Sequence, residues 1–435
     1  MMLPVVMYTS VAGAALPCGA AGQQPPREAL GEIVARSSPD PGSELRVWLV
    51  TAGPGDAVWE RYGHNAIRIL DTETGRDVAY NWGIFDFQQV DFIPRFLQGR
   101  MLYMMVPFQS LPMIDAYARA NREITLQELD LTPTQKLALS TLADLNARPE
   151  RREYFYQYFL DNCSTRVRDL LDQVLGGALN REFAAEPSGS TYRDQTRRLT
   201  QVDPLIYTGM DLLLGGPTDA PMSVWEEMFV PMTLRDAIRS VTVTRSDGSV
   251  HPLVLSEEIA VESTRAADPT EPPRWLGIYV FLGLLLAAAI ASSTTTRVRS
   301  TPALRIGVLT LTVGWSALGG IAGTLLVLLL LTDHTFAYWN ENLFLFNPLM
   351  LASAVLLPMA RLGARWRQLA WRTAAAIAIV ASLGVLWQLS PASRHQNAMF
   401  FALALPAHLA LAFAISRRGF ESSVMIDAAN GLKAD

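Results

Sequence analysis

Cysteine is nearly missing from this chain. There are two in 435 positions, Cys18 and Cys163. Two cysteines, one of them in an apolar N-terminal stretch, exclude a disulfide-stapled scaffold. The five histidines, at 64, 251, 334, 395 and 408, are scattered, and no Cys/His ligand spacing exists, so no metal site is expected. Lysine occurs only at 136 and 433, leaving arginine to carry the positive charge. The net charge of −5, with no block of like charges, argues against nucleic acid as a partner. No glycine-rich phosphate loop appears, and no cofactor is expected.

What is present is apolar and unevenly spread. Half of the residues are hydrophobic, and after the N-terminal stretch every long apolar run lies beyond Arg274. Five runs, 275–292, 306–332, 343–360, 369–389 and 399–416, each approach the roughly 20 residues that a bilayer requires. Arg297, Arg299 and Arg305 follow the first run. Arg361, Arg365, Arg367 and Arg372 follow the third, and Arg417 and Arg418 the fifth. Basic loops stay in the cytoplasm, so the part of the chain before Arg274 is expected outside it. Residues 1–22 read as an export signal or a retained N-terminal membrane segment, although they lack a basic start. The expected organisation is therefore 1–22 leader, 23–44 linker, 45–255 extracytoplasmic domain, 256–274 linker, 275–418 membrane domain and 419–435 cytoplasmic tail. The setting is the inner membrane. Oligomeric state is not legible.

The extracytoplasmic part alternates in the manner of short strands. Leu45–Val50 is one. His64-Asn65-Ala66-Ile67-Arg68-Ile69 starts another at a glycine, and Val78–Trp82 returns as a third. Met101–Phe108 and Ile124–Leu131 follow. Thr132-Pro133 starts a helix that reaches Asn146. Val224–Ser240 is expected to be helical, and Ser246-Asp247-Gly248 turns a hairpin. The fold class is α+β, a small antiparallel sheet with helices, followed by a helical membrane domain of five spans.

Val167, Leu170, Leu171, Val174 and Leu175 recur with helical period, and Gly176-Gly177 ends the run. Asp161 or Asn162 caps its start, which puts Cys163 in the first turn. There the helix dipole and unpaired N–H groups lower a thiol's pKa. A single mature cysteine in an oxidising compartment has no disulfide partner within the chain, which favours a chemical role over mere packing. The extracytoplasmic part contains one other histidine besides His64, namely His251 in the terminal hairpin. A histidine at a strand mouth and a cysteine at a helix start make a nucleophile–base pair with papain-like logic in permuted order. A surface histidine and a buried cysteine are the plainer alternative.

Three motifs together carry a resemblance: Tyr62-Gly63-His64-Asn65-Ala66-Ile67-Arg68, Asn81-Trp82-Gly83 and Asp161-Asn162-Cys163-Ser164-Thr165-Arg166. On an exported domain followed by membrane spans, the combination resembles the Lnb-type lipoprotein N-acyltransferases. Their periplasmic domain is similar to the permuted papain-like fold of the lecithin:retinol acyltransferase type. The resemblance implies transfer of a fatty acyl chain from a membrane phospholipid to the N-terminal amine of a diacylated lipoprotein. The chain would pass through a thioester on Cys163, with His64 as base. The third catalytic residue is left open. The resemblance also implies that His334, Asn340 and Asn342, in a loop between spans, belong to the substrate-binding surface with Arg166, Tyr62 and Asn65. For Arg166 the functional reading is a contact with a phosphate of the lipid donor, and a buried salt bridge with Asp169, Asp172 or Asp86 ranks ahead of it. Tyr154, Phe155, Tyr158 and Phe159 are candidates for closing the site against water. A membrane-anchored cysteine hydrolase and a non-enzymatic envelope sensor are the competing functions.

Overall fold

In the computed structural model, which describes residues 40–245 and 247–421, the alternating segments pair into one antiparallel seven-stranded sheet. Its strands are β1 (Leu45–Ala52), β2 (His64–Asp71), β3 (Asp77–Ile84), β4 (Leu102–Gln109), β5 (Ile124–Leu129), β6 (Glu153–Phe155) and an edge strand, Val254–Val261. The order across the sheet is Val254–Val261, β5, β1, β2, β3, β4, β6. Helices α1 (Phe92–Gln98), α2 (Ser110–Arg119), α3 (Pro133–Asn146) and α4 (Cys163–Val174) lie between the strands in sequence. Because successive strand side chains point to opposite faces, the sheet builds two cores. Val47, Leu49, Ile67, Ile69, Tyr80 and Trp82 pack with Leu139 and Ala143 of α3 and with Val167 and Leu171 of α4. Trp48, Val50, Ala66 and Ala79 pack with Met113 of α2.

The α+β class and all five expected strands are present, and α3 begins at Pro133 under a Thr132 cap. Two strands of this sheet escape the sequence reading, as does the separate pair Pro187–Thr191 and Pro221–Ser223. β6 is formed by part of the aromatic run, and Val254–Val261 extends into the stretch read as a linker from Ser256. Most of that edge strand is exposed, so it gains its ladder bonds from β5 without the apolar alternation that marks a half-buried strand. The expected helix over 224–240 is broken into Val224–Glu227 and Pro231–Ile238, since Pro231 cannot continue the first helix but can start the second. The leader, the first linker up to residue 39, and the tail from residue 422 lie outside the described residues.

The chain divides into two compact units. One comprises residues up to Ser190 together with Pro221–Pro269, and the other comprises Thr191–Ala220 together with the chain from Thr270. Thr191–Ala220, read as part of the extracytoplasmic domain, thus groups with the apolar helices. Within that second unit, Arg193 is completely buried and is held by Asp211, Asp219 and the carbonyls of Leu214 and Gly215. Five apolar helices occur where five spans were expected, but four are long enough to cross a bilayer: Pro302–Leu329, Glu341–Leu362, Ala364–Gln388 and Ala398–Ser416. The helix Leu276–Ser292 has 17 residues, a rise of about 25 Å. Glycines let these helices approach closely. A Cβ on Gly323 would lie 2.5 Å from Asn347 Cα, and one on Gly283 would lie 2.1 Å from the Ala402 carbonyl oxygen.

The start of α4 has one dominant anchor. Asn162 Oδ1 accepts from the N–H groups of Ser164 and Thr165, both at 2.9 Å. Its Nδ2 donates to the carbonyls of Tyr158 and Phe229. The Asn162→Ala variant is expected to lose about 1–2 kcal/mol of stability. Thermal unfolding of the full chain in detergent checks this, and an unchanged midpoint would show that the cap is redundant.

Candidate functional site

The site begins where the sheet opens. β2 and β3 pair from Ala66↔Asn81 onward, and the β3–β4 register shifts between Asn81 and Ile84. Gly83 sits in that shift with φ +84°, and a Cβ there would come within 3.2 Å of Cys163 Cβ. The opening leaves the Asn65 N–H outside the ladder with β3, where it and the N–H groups of Ser164 and Cys163 pull the Cys163 thiol's pKa down. Cys163 is 9% exposed.

His64 reaches the same opening from the opposite face. It pairs with Ala52, so its side chain shares the α2 side of the sheet. Its ring stacks on Tyr117 with centroids 6.4 Å apart. Its Nε2 lies 3.1 Å from Asn81 Oδ1. Asn81 Nδ2 donates to the Ala79 carbonyl at 2.9 Å, so Oδ1 is the acceptor and His64 Nε2 carries the hydrogen. This tautomer is assigned from the hydrogen-bond network, and it leaves Nδ1 as the basic nitrogen. Among the described residues no direct hydrogen bond joins the thiol and the imidazole.

Arg122 influences both groups. It is nearly fully buried, its Nε donates to the Gly53 carbonyl, and Nη1 lies 3.5 Å from Glu60. Its guanidinium is 4.8 Å from the Tyr117 ring centroid. Nη2 is buried without a hydrogen-bond partner. Burial, then the Arg122 charge, lowers His64 to about 4, against a raising contribution from Asn81. Burial also raises the Cys163 thiol above its ordinary value, outweighing the three N–H groups and Arg122, which pull it down. The expected lowering by the helix start is thus reversed. An ionised sulfur loses more by leaving water than it gains from partial charges at the first turn. At rest the thiol and the imidazole are both neutral.

The remaining sequence candidates occupy various places. Asn65 is fully buried. Its Nδ2 donates to Thr51 Oγ1 and its Oδ1 accepts from Ser164 Oγ, both at 2.8 Å, tying β2 to α4. Tyr62 packs its ring 6.5 Å from that of Phe229. Arg166 makes a two-pronged ion pair with Asp161 and lies 4.1 Å over the Tyr154 ring, whereas Asp169 pairs with Arg168. The salt bridge weighed for Arg166 is real, but its partner is none of the three acids expected. His334, Asn340 and Asn342 belong to the second unit. Asn340 Nδ2 faces the carbonyls of Leu212, Leu213 and Leu214 at 2.9–3.2 Å, the open end of the helix Pro204–Leu213. Asn342 donates to the Leu212 carbonyl and accepts from Asn397. Both amides cap a helix end. His334 is half-buried in the turn before the short helix Thr335–Ala337. Among the described residues no group of three His, Cys, Asp or Glu side chains could hold a metal ion. Asn81 and Arg122 were not assigned roles from sequence. Asn81 was visible in its motif, while nothing around Arg122 distinguished it.

Residues 40–199 match the family model described as the Lnb N-terminal periplasmic domain. No curated protein and no solved structure matches the chain. With four helices long and apolar enough to cross a membrane, this is a multi-pass membrane protein with an extracytoplasmic domain.

A neutral resting pair has a direct readout. In a Cys18→Ser background, alkylation of Cys163 by iodoacetamide should accelerate only in alkaline solution, at a pH above the ordinary thiol range, with no plateau near neutrality. Removing the Arg122 charge, as Arg122→Met, should move that rise to still higher pH. A plateau below neutrality would show an ion pair instead.

Proposed function

We propose that this chain, whose residues 40–199 match the Lnb N-terminal periplasmic domain, is a lipoprotein N-acyltransferase of the inner membrane. Its acyl donor is a membrane phospholipid and its acceptor is the N-terminal amine of a diacylated lipoprotein. The observation that carries this reading is a buried cysteine in the first turn of α4, on the same seven-stranded sheet as a histidine oriented by Asn81 and with Arg122 acting on both.

The chemistry follows from that arrangement. The Cys163 sulfur attacks the ester carbonyl of the donor, and its proton passes to His64 Nδ1. The carbonyl oxygen becomes an oxyanion, held by N–H groups at the helix start, with the buried Arg122 charge adding stabilisation. Collapse breaks the ester C–O bond. His64 returns the proton to the departing alcohol, and a lysophospholipid leaves with a thioester on Cys163. The acceptor amine then attacks the thioester carbonyl and His64 takes the amine proton. The C–S bond breaks, the proton goes to sulfur, and the amide is complete. Because proton transfer is concerted with attack, a thiol that is neutral at rest serves this sequence.

Membrane attachment separates this reading from a soluble cell-wall hydrolase. Withdrawing a fatty chain from a bilayer costs about 0.8 kcal/mol per CH₂, so a nucleophile carried by a membrane protein meets its donor without that cost. Burial of Cys163 also disfavours water as a competing acceptor. A cysteine hydrolase acting on a cell-wall peptide or lipid ester uses the same pair of residues, and an envelope sensor needs neither.

Mass spectrometry of the purified chain mixed with phospholipid should show an acyl mass on Cys163, absent in Cys163→Ser and reduced about 100-fold or more in rate in His64→Ala. Lipoproteins still processed by wild-type protein that never carries this mass would remove the thioester route. Full activity of Cys163→Ser in cells would favour the sensor. Acylation should not fall off through the ordinary histidine range but near pH 4, because His64 stays neutral down to its lowered value of about 4. Asn81→Ala removes a contribution that raises this value, so its acid limb should shift further down while the rate falls. Arg122→Met should shift the acid limb up.

A further inference from the structure

From the sheet opening, an aromatic path leads outward to the surface of the same unit. The Tyr156 and Tyr103 rings stack with centroids 4.0 Å apart, and Tyr103 stacks on Phe85 at 5.0 Å. Phe85 meets Phe87 at 4.8 Å, and Phe87 meets Phe92 of α1 at 5.3 Å. Trp59 closes on both Phe85 and Phe87, at 5.9 and 5.8 Å. At the inner end, Tyr103 and Tyr156 are close enough to Cys163 for a thiolate there to raise their phenols, in addition to the larger effect of burial.

At the outer end the path spreads into exposed apolar surface. Val90 is 79% exposed, Ile93 61% and Trp59 58%, with Leu97 and Phe87 also more than half exposed. Such a continuous apolar face is unusual on a surface meant for water alone. From Phe92 to Arg100 no residue is acidic, and Arg95 and Arg100 stand at the C-terminal end of the short helix. An apolar helix face with an indole beside it and arginines at its margin suits a lipid–water boundary. There apolar groups enter the acyl region, while arginines extend toward phosphates. The chain's membrane-crossing helices keep such a boundary at hand.

We propose that the exposed apolar side chains of Phe87, Val90, Ile93, Phe96 and Leu97, together with Trp59, enter the outer face of the phospholipid bilayer while Asp86 and Asp91 stay on its water side, and that the ring path Phe92–Phe87–Phe85–Tyr103–Tyr156 receives one acyl chain of a diacyl phospholipid and leads its ester to Cys163. The route to Cys163 rests on the acyltransferase reading, whereas the docking surface does not. The path suits a chain that is long and flexible, because its outer three residues, Phe92, Phe87 and Phe85, present only ring faces and edges to a chain lying along it. The headgroup stays at the boundary with the arginines.

The test uses the full chain in vesicles of phosphatidylethanolamine and phosphatidylglycerol, with a photoactivatable diazirine residue replacing Val90 or Ile93. The control position is Glu73, exposed in the β2–β3 turn. Lipid adducts at 90 and 93, and none at 73, support the docking surface. Adducts to protein in place of lipid, whether within the chain or to a second copy, overturn it, as does the absence of lipid adducts. In a second measurement, Val90→Asp combined with Ile93→Asp should slow acyl loading of Cys163 about tenfold or more. Alkylation of Cys163 by water-soluble iodoacetamide and the thermal midpoint should be unchanged in that variant. Wild-type loading in the double variant overturns the route. Lipid adducts at 90 and 93 in a wild-type chain that never loads Cys163 would keep the docking surface while removing both the route and the acyltransferase reading.

Discussion

The architecture of the site depends on a single gap in hydrogen bonding. An antiparallel ladder that continued one residue further between β2 and β3 would engage the Asn65 N–H, and a Cβ at position 83 would come within 3.2 Å of Cys163 Cβ. Ending the ladder at Ala66 and placing glycine at 83 frees a backbone donor inside a dry interior, a situation that folded proteins rarely leave uncompensated. The first turn of α4 packs against the opening, and there the Asn65 N–H pulls the Cys163 thiol's pKa down. Everything around the gap holds that alignment. Asn162 fixes the helix end, Asn65 and Ser164 lock strand to helix, and Asn81 holds the imidazole from the other side of the sheet.

Much of this was legible before any coordinates. The start of α4 could be placed because asparagine, a first-turn cysteine, the apolar period and a double glycine all agree. The strands could be placed because one face of each is buried. Other features were not legible, for identifiable reasons. The edge strand Val254–Val261 buries neither face well, so no alternation records it. The direction of the thiol's shift depends on how deeply the sulfur lies, which is a tertiary quantity. Arg122 is brought to the site by the turn after α2, and its effect on Cys163 and His64 acts across the sheet. Asn340 and Asn342 were noticed for their polarity in an aromatic loop. Their amides bind carbonyls more than 120 residues away in sequence, which no local pattern announces.

The second unit shows how polar groups are retained beside apolar helices. Arg193 is ringed by two carboxylates and three carbonyls, those of Asp211, Leu214 and Gly215, and Arg197 adds the Gln396 carbonyl to the same network. A buried guanidinium of this kind contributes less to net stability than to uniqueness, because few alternative packings satisfy all its donors. With the Asn340 and Asn342 caps, it ties the segment Thr191–Ala220 to the helical unit, while the sheet and its sulfur keep a core of their own. The sheet with Cys163 and the apolar helices thus have separate cores.

The depth of the sulfur also bears on survival outside the cytoplasm. Oxidants attack thiolates, and a free thiolate exposed in an oxidising compartment progresses to sulfenic and then irreversible acids. A cysteine that stays protonated and covered presents little to peroxide or to a passing disulfide. The enclosure that keeps water from Cys163 therefore also preserves its thiol, the one cysteine among the described residues.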